Sequence, residues 1–102
     1  MFYECTSLEE INFENFNTSK VIDMTRMFYL CSNLKSLDLS IFDTSKIINM
    51  EMMFKDCTSL EYLDISNFDT SKVTEMSSMF EGCSNLKSLD LSNFDTSNVK
   101  NL

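Results

Sequence analysis

Hydrophobic and polar positions follow two periodicities in turn along the chain. A first group of apolar residues is spaced at i, i+3, i+4 and i+7, which predicts one face of a short helix. A second group follows directly with the alternation of a short strand, in which every other side chain points inward. Near the end of the chain the helical group is Met76, Met79, Phe80 and Cys83, and the strand group is Leu86, Leu89 and Leu91.

The same pattern returns every 26 residues, marked by Met-Phe pairs, single cysteines and Thr-Ser pairs in one register. A fixed period between 20 and 50 residues is the sequence mark of a repeat array. Its units must stack, because none of them can bury its apolar face alone. We therefore expect one domain over 1–102, made of four repeats: 1–26, 27–52, 53–78 and 79–102. The cysteines are Cys5, Cys31, Cys57 and Cys83.

The repeats also alternate between two sequence versions, one in the even repeats and one in the odd repeats. Residues 31–40 and 83–92 are both CSNLKSLDLS, whereas the odd repeats carry CTSLE at 5–9 and 57–61. One position therefore alternates in charge, which predicts attraction between adjacent repeats and a penalty for a slip of one repeat. The alternating residues are Glu9, Lys35, Glu61 and Lys87.

The spacing of Leu86, Leu89 and Leu91 fits the leucine-rich-repeat template L-x-x-L-x-L, although Phe94 stands where Asn or Cys is usual. We expect an α/β repeat fold: a leucine-rich-repeat-like right-handed solenoid with parallel strands on one face and short helices on the other. Stacking places equivalent residues about 4.8 Å apart, in ladders. The predicted core ladders are Phe16, Phe42, Phe68 and Phe94, and Leu8, Leu34, Leu60 and Leu86.

The Met-Phe-x-x-Cys and Phe-Asp-Thr-Ser elements of MFEGCSNLKSLDLSNFDTSNV and its sister copies resemble those of the BspA-like leucine-rich repeat surface proteins. The resemblance covers essentially the whole chain. It implies an extracellular or cell-surface array used in adhesion or other contact with host molecules, and it supplies no catalytic residue. The chain begins and ends inside the repeat pattern, so we expect it to be a fragment of a longer array.

Composition excludes several function classes. The chain has 16 Asp and Glu against 8 Lys and Arg, a net charge of -8 and no histidine. This balance argues against binding nucleic acid or an anionic membrane surface, where affinity comes from Lys and Arg. No apolar run approaches the roughly 20 residues of a transmembrane helix, and no signal peptide is visible.

The sequence offers little support for catalytic or metal-binding chemistry. Without histidine, a Gly-rich phosphate loop or a G-x-S-x-G elbow, we expect neither an enzyme nor a cofactor. The four cysteines lack metal-site spacing and occupy one inward position, which favours buried core residues over disulfides or metal ligands. The Asp-Thr-Ser threonines are interpreted as turn residues that bond local backbone. Asn17 begins the one glycosylation sequon.

The outward positions of the predicted strands form the candidate binding face. Three stacked aspartates repel one another, and three explanations remain open: a solvated face, a basic protein or peptide partner, or Ca²⁺. A single tyrosine among smaller residues is the best aromatic anchor. The candidate residues are Asp38, Asp64, Asp90 and Tyr62, with the neighbouring Lys35 and Lys87.

Function is therefore expected to be binding of a protein or glycan through this face, in an adhesion module. The alternative is a structural spacer in a longer surface protein, with no ligand of its own. The terminal repeats expose apolar residues such as Phe2 and Phe94 beside unpaired strands, which also favours end-to-end association of the chain.

Overall fold

The computed structural model describes residue 13 and residues 17–100. Two short strands, β1 (Ser36–Asp38) and β2 (Tyr62–Asp64), pair in parallel, with each residue opposite its equivalent in the next repeat. Isolated parallel bridges join further equivalent residues: Asp23 to Asn49, Asn49 to Glu75, and Tyr62 to Ser88. Residues one repeat apart thus lie side by side, as stacking requires. The right-handed solenoid class itself stays a prediction.

The segment predicted to be a short helix instead forms consecutive turns, and the described part of the chain contains no helix. The backbone N–H groups of this turn segment donate to two different sets of carbonyl groups. Every second one donates to the next repeat, and those between them donate three residues back along the chain. An α-helix needs all of them to donate four residues back. The bonds to the next repeat run from Arg26 to Glu51, from Phe28 to Met53 and from Leu30 to Lys55, at 2.9, 2.9 and 3.0 Å.

Left-handed backbone conformations recur at the same two positions of each turn segment. In the first such segment they are Arg26 and Leu30, with φ of 55° and 59°. A positive φ is costly for a residue with a Cβ, and glycine occupies the position at Gly82. A Cβ added there would clash with the Asp56 carboxylate of the preceding repeat.

The core consists of ladders of like residues. The Phe28 and Phe54 rings are stacked with centroids 5.6 Å apart and planes 1° from parallel, and Phe80 continues the stack at 5.6 Å. The described members of the predicted ladders lie in or against this core, while Phe16 and Leu8 lie outside the described residues. Phe42, Phe68, Leu34 and Leu60 are buried, and Phe94 and Leu86 are partly buried.

Leu91, predicted to point inward, lines an apolar groove with Phe80 and Phe94 but is not buried. Leu91 is 43% exposed, whereas its equivalents Leu39 and Ile65 are 0% and 2% exposed. Leu39 and Ile65 are each covered by the repeat that follows them. Among the described residues, no following repeat covers Leu91 in the same way.

The threonine ladder joins repeats, which the sequence interpretation missed. The Thr44 hydroxyl donates to the Asp69 carbonyl at 3.2 Å and accepts the Asp69 N–H at 2.7 Å. Thr18 and Thr70 make the same pair of bonds to Asp43 and Asp95. The expectation of local backbone bonding is therefore wrong for these threonines, and the bonds link turns that are 25 residues apart.

The described cysteines confirm the core interpretation. Cys31 and Cys57 are fully buried, Cys83 is half-buried, and all three are free thiols. The Cys57 thiol donates to the Phe28 carbonyl at 3.1 Å, and Cys83 donates to Phe54 at 3.0 Å. Each of these bonds reaches into the preceding repeat, so the sulfur atoms also contribute to stacking. Cys5 lies outside the described residues.

Candidate binding face

The strands present alternate side chains to solvent, because their side chains point to opposite sides of the sheet. Leu37 and Leu63 face inward and are buried, while the residues on either side of each leucine are exposed. We call the outward residues the strand face: Ser36, Asp38, Tyr62, Asp64, Ser88 and Asp90. An open groove of about 280 Å³ runs across its first five residues, with Leu37 and Leu63 at its floor.

Tyr62 is the large side chain of the strand face and is 55% exposed. The Lys87 ammonium lies 5.5 Å from the centre of its ring, within the range of a cation–π contact. Lys87 also forms an ion pair with Glu61, with Nζ and Oε2 3.0 Å apart. The hydrogen bond and charge of Glu61, and then Tyr62, raise the pKa of Lys87. Tyr62 is therefore held at the edge of a small charged cluster.

The predicted ion pairs between alternating charges would join Lys35 to Glu61 and Glu61 to Lys87 in the described chain. Only the second of these two pairs forms. Lys87 contacts Glu61, whereas the exposed Lys35 side chain makes no ion pair with Glu61. The Lys35 carbonyl instead accepts the Glu61 N–H at 2.8 Å. The alternation thus contributes one surface ion pair among these residues, a contact typically worth less than about 1 kcal/mol.

The three aspartates of the strand face also shape the turns after the strands. In each of them Oδ1 accepts the N–H of the serine two residues later, at 2.9 Å for Asp38, 3.0 Å for Asp64 and 2.9 Å for Asp90. Hydrogen bonds from Ser40 and Ser92 lower the pKa of Asp38 and Asp90. The Asp-x-Ser spacing is visible in the sequence, and it accounts for much of why aspartate recurs here.

The structure brings together three of the six predicted binding residues. Asp38, Tyr62 and Asp64 line one groove, and Lys87 reaches Tyr62 from its edge. Asp90 and Lys35 are exposed but do not line the groove. The acidic groove with one tyrosine is thus narrower than the face expected from the sequence.

A family match accompanies this geometry. The whole chain, residues 1–102, matches the family described as Mycoplasma protein of unknown function, DUF285. The chain belongs to this family. No curated protein and no solved structure matches it.

Two further observations apply to this DUF285 chain. Among its described residues, no group of three or more His, Cys, Asp or Glu is placed to hold a metal ion. In the same part of the chain, no helix has the length and apolar character needed to cross a membrane.

Proposed function

We propose that this DUF285 chain is a binding module that contacts a partner protein through the strand face. The observation that carries the proposal is Tyr62, half-exposed in a groove that Asp38 and Asp64 also line. Exposed tyrosines are enriched among the residues that dominate binding energy at interfaces. A groove with an aromatic side chain and two fixed negative charges suits an extended segment that carries Lys or Arg.

Location and architecture are part of this proposal. Parallel pairing of residues 26 apart supports a leucine-rich-repeat-like solenoid. The Met-Phe-x-x-Cys and Phe-Asp-Thr-Ser elements support a BspA-like assignment within the matched family, and hence a cell-surface adhesion role. Extended faces of stacked repeats are the surfaces that such proteins use for binding.

A structural spacer is the second candidate, and one observation favours it. The carboxylates of Asp38, Asp64 and Asp90 already accept hydrogen bonds within their own turns. An aspartate ladder that serves only turn geometry needs no partner. The binding module and the spacer can be distinguished by variants that remove the aspartate charges while keeping the hydrogen bonds of the turns.

The decisive variants are Tyr62→Ser and the double variant Asp38→Asn with Asp64→Asn. Serine already occupies the equivalent positions at Ser36 and Ser88. Asparagine keeps the Oδ1 acceptor, as Asn17 shows by accepting the Ser19 N–H at 3.0 Å. Both variants should therefore fold.

Immobilised chains are tested against extracellular matrix proteins, mucins and glycans. We expect the wild type to capture a basic protein, and each variant to weaken that binding by about 30-fold, corresponding to about 2 kcal/mol. The control is Asp43→Asn with Asp69→Asn, which removes two charges from a different column of turns. Equal capture by all four chains would contradict the strand-face proposal, and no capture by any of them would favour the spacer.

A further inference from the structure

A second ladder of backbone hydrogen bonds joins the repeats outside β1 and β2. The Ile48 N–H donates to the Ile22 carbonyl at 2.9 Å, and the Thr74 N–H donates to the Ile48 carbonyl at 2.9 Å. Ile47 is 0% exposed, whereas Lys46 and Ile48 on either side of it are exposed. This segment therefore presents outward columns of its own, with equivalent residues one repeat apart.

The outward residues of this ladder combine positive charge with apolar surface. Ile22 and Ile48 are 58% and 48% exposed. Lys20, Lys46 and Lys72 are also exposed and recur one repeat apart, so their backbones lie about 4.8 Å from one another along the stack. We call these five residues the lysine face.

The charges of the lysine face take no part in ion pairs within the described chain. The ion pairs found there involve other lysines. Serine hydrogen bonds are the largest cause of the low pKa of Asp43 and Asp69, and a lysine of this face is a smaller cause in each case. Stacked like charges repel one another. The lysine face is therefore available to an anionic surface with the same spacing.

We propose that the lysine face binds the strand face of a second copy of this chain, so that copies associate side by side. This inference rests on the proposed function of the strand face and names its partner. Both faces repeat with the same step, because one stacking of repeats sets the distance between successive aspartates and between successive lysines. A contact that sets one lysine beside Asp38 therefore sets the next lysine beside Asp64.

The apolar parts of the two faces also match. Tyr62 is 55% exposed in the groove of the strand face. Ile22 and Ile48 supply aliphatic side chains two residues beyond their lysines. Lys87, the positive charge near Tyr62, is already paired with Glu61 and opposes the contact little. Side-by-side contact uses surfaces of the described repeats and does not depend on the ends of the chain.

The test uses two neutralising variants of the full chain. Lys46→Gln with Lys72→Gln leaves no two adjacent lysines on the lysine face and keeps the strand face intact. Asp38→Asn with Asp64→Asn does the reverse, and asparagine keeps the acceptor of the turn. Sedimentation and light scattering follow each chain over a wide concentration range at about 0.15 M salt, where the screening length of about 8 Å limits repulsion between whole chains.

The matched control is Asp43→Asn with Asp69→Asn. It makes the same change of charge as the strand-face variant, in a column of turns outside the strand face. We expect the mass of the wild type and of this control to rise with concentration. Each neutralising variant should need about tenfold higher concentration for the same mass, the effect of losing two exposed ion pairs.

An equimolar mixture of the two neutralising variants should form a 1:1 heterodimer and stop there. The mixture contains one intact strand face and one intact lysine face, on different chains. Both variants remain negatively charged overall, so attraction between net charges does not account for such a heterodimer. Thermal unfolding of dilute samples establishes that both variants are folded.

A wild type that stays monomeric at every concentration would overturn the second copy as partner. So would association of both neutralising variants at wild-type concentrations, or a mixture no more associated than its components. The capture assay decides the proposed function separately, because Lys46→Gln with Lys72→Gln keeps the strand face and should capture a basic protein as the wild type does. Capture by a chain that never self-associates would refute this inference alone.

Discussion

At the residue scale, the cysteines show how stacking changes the chemistry of a side chain. Burial raises the pKa of the Cys57 thiol to about 12, with the neighbouring thiols of Cys83 and Cys31 adding to the shift. Burial also raises the pKa of Cys83, which is half-buried at the last repeat. Only the thiolate is an effective nucleophile, so both groups should react slowly in the folded chain.

We predict that a small alkylating reagent at pH 8 modifies Cys83 faster than Cys57 or Cys31. Both of the latter side chains are 0% exposed and become accessible only when repeats separate. Mass spectrometry of peptides gives the rate at each cysteine, and denaturant should bring all three to similar rates. Modification of Cys57 as fast as Cys83 under native conditions would contradict the buried ladder.

At the element scale, each threonine holds two turns together. Thr44 is 1% exposed, and its hydroxyl bonds to both the N–H and the carbonyl of Asp69. A buried backbone group that loses its partner costs about 1–3 kcal/mol. The hydroxyl therefore matters through the two backbone groups it satisfies more than through the strength of either bond.

Thr44→Val should lower the free energy of unfolding by about 2–4 kcal/mol, because valine keeps the shape but neither hydrogen bond. Urea unfolding followed by circular dichroism measures the change. Thr44→Ser should recover much of the loss, since it retains the hydroxyl. Thr96→Val is the matched control at an exposed threonine, and a loss as large there would show that the hydroxyl bonds of Thr44 are not the cause.

At the scale of the whole molecule, hydrogen bonds from serine repeat along the surface turns. They lower the pKa of five aspartates from the ordinary value of 3.8, with the serine two residues later as the largest cause in each. A carboxylate with a lower pKa in the folded state contributes stability above its unfolded pKa. That contribution is lost as pH falls through the folded value. The five residues are Asp38, Asp43, Asp69, Asp90 and Asp95.

Unfolding free energy should therefore fall as pH decreases below about 4, where the unfolded chain binds more protons than the folded chain. Urea midpoints measured between pH 6 and pH 2 test this. Ser45→Ala with Ser71→Ala removes the largest cause of the low pKa at Asp43 and Asp69. The double variant should lose less stability on acidification, and an unchanged slope would contradict the assignment.

Much of the arrangement could be predicted from periodicity. The step of 26 residues predicted that equivalent residues pair, and β1 and β2 do so in parallel. Burial of Leu34, Leu60, Cys31 and Cys57 followed from their recurrence at inward positions. Repetition is informative because an inward position in one repeat must also be inward in its neighbours.

The helix prediction failed for a physical reason. Apolar spacing at i, i+3 and i+4 is met by a helix, but it is also met by successive turns that bond three residues back. Met27 and Tyr29 bond in that way, to Met24 and Arg26 at 3.1 Å each. The choice depends on the alternate N–H groups, which find acceptors in the adjacent repeat. Those acceptors are absent from any single repeat.

The sequence by itself determined the repeat length, the inward residues, the parallel pairing and the acidic strand positions, because these depend on spacing along one chain. The tertiary structure decided which groups serve the neighbouring repeat: turns in place of a helix, and Thr44 bonded to Asp69. It also decided that Asp38 and Asp64 share a groove with Tyr62. These outcomes depend on which backbone groups and side chains of adjacent repeats meet, and that is settled only when the repeats stack.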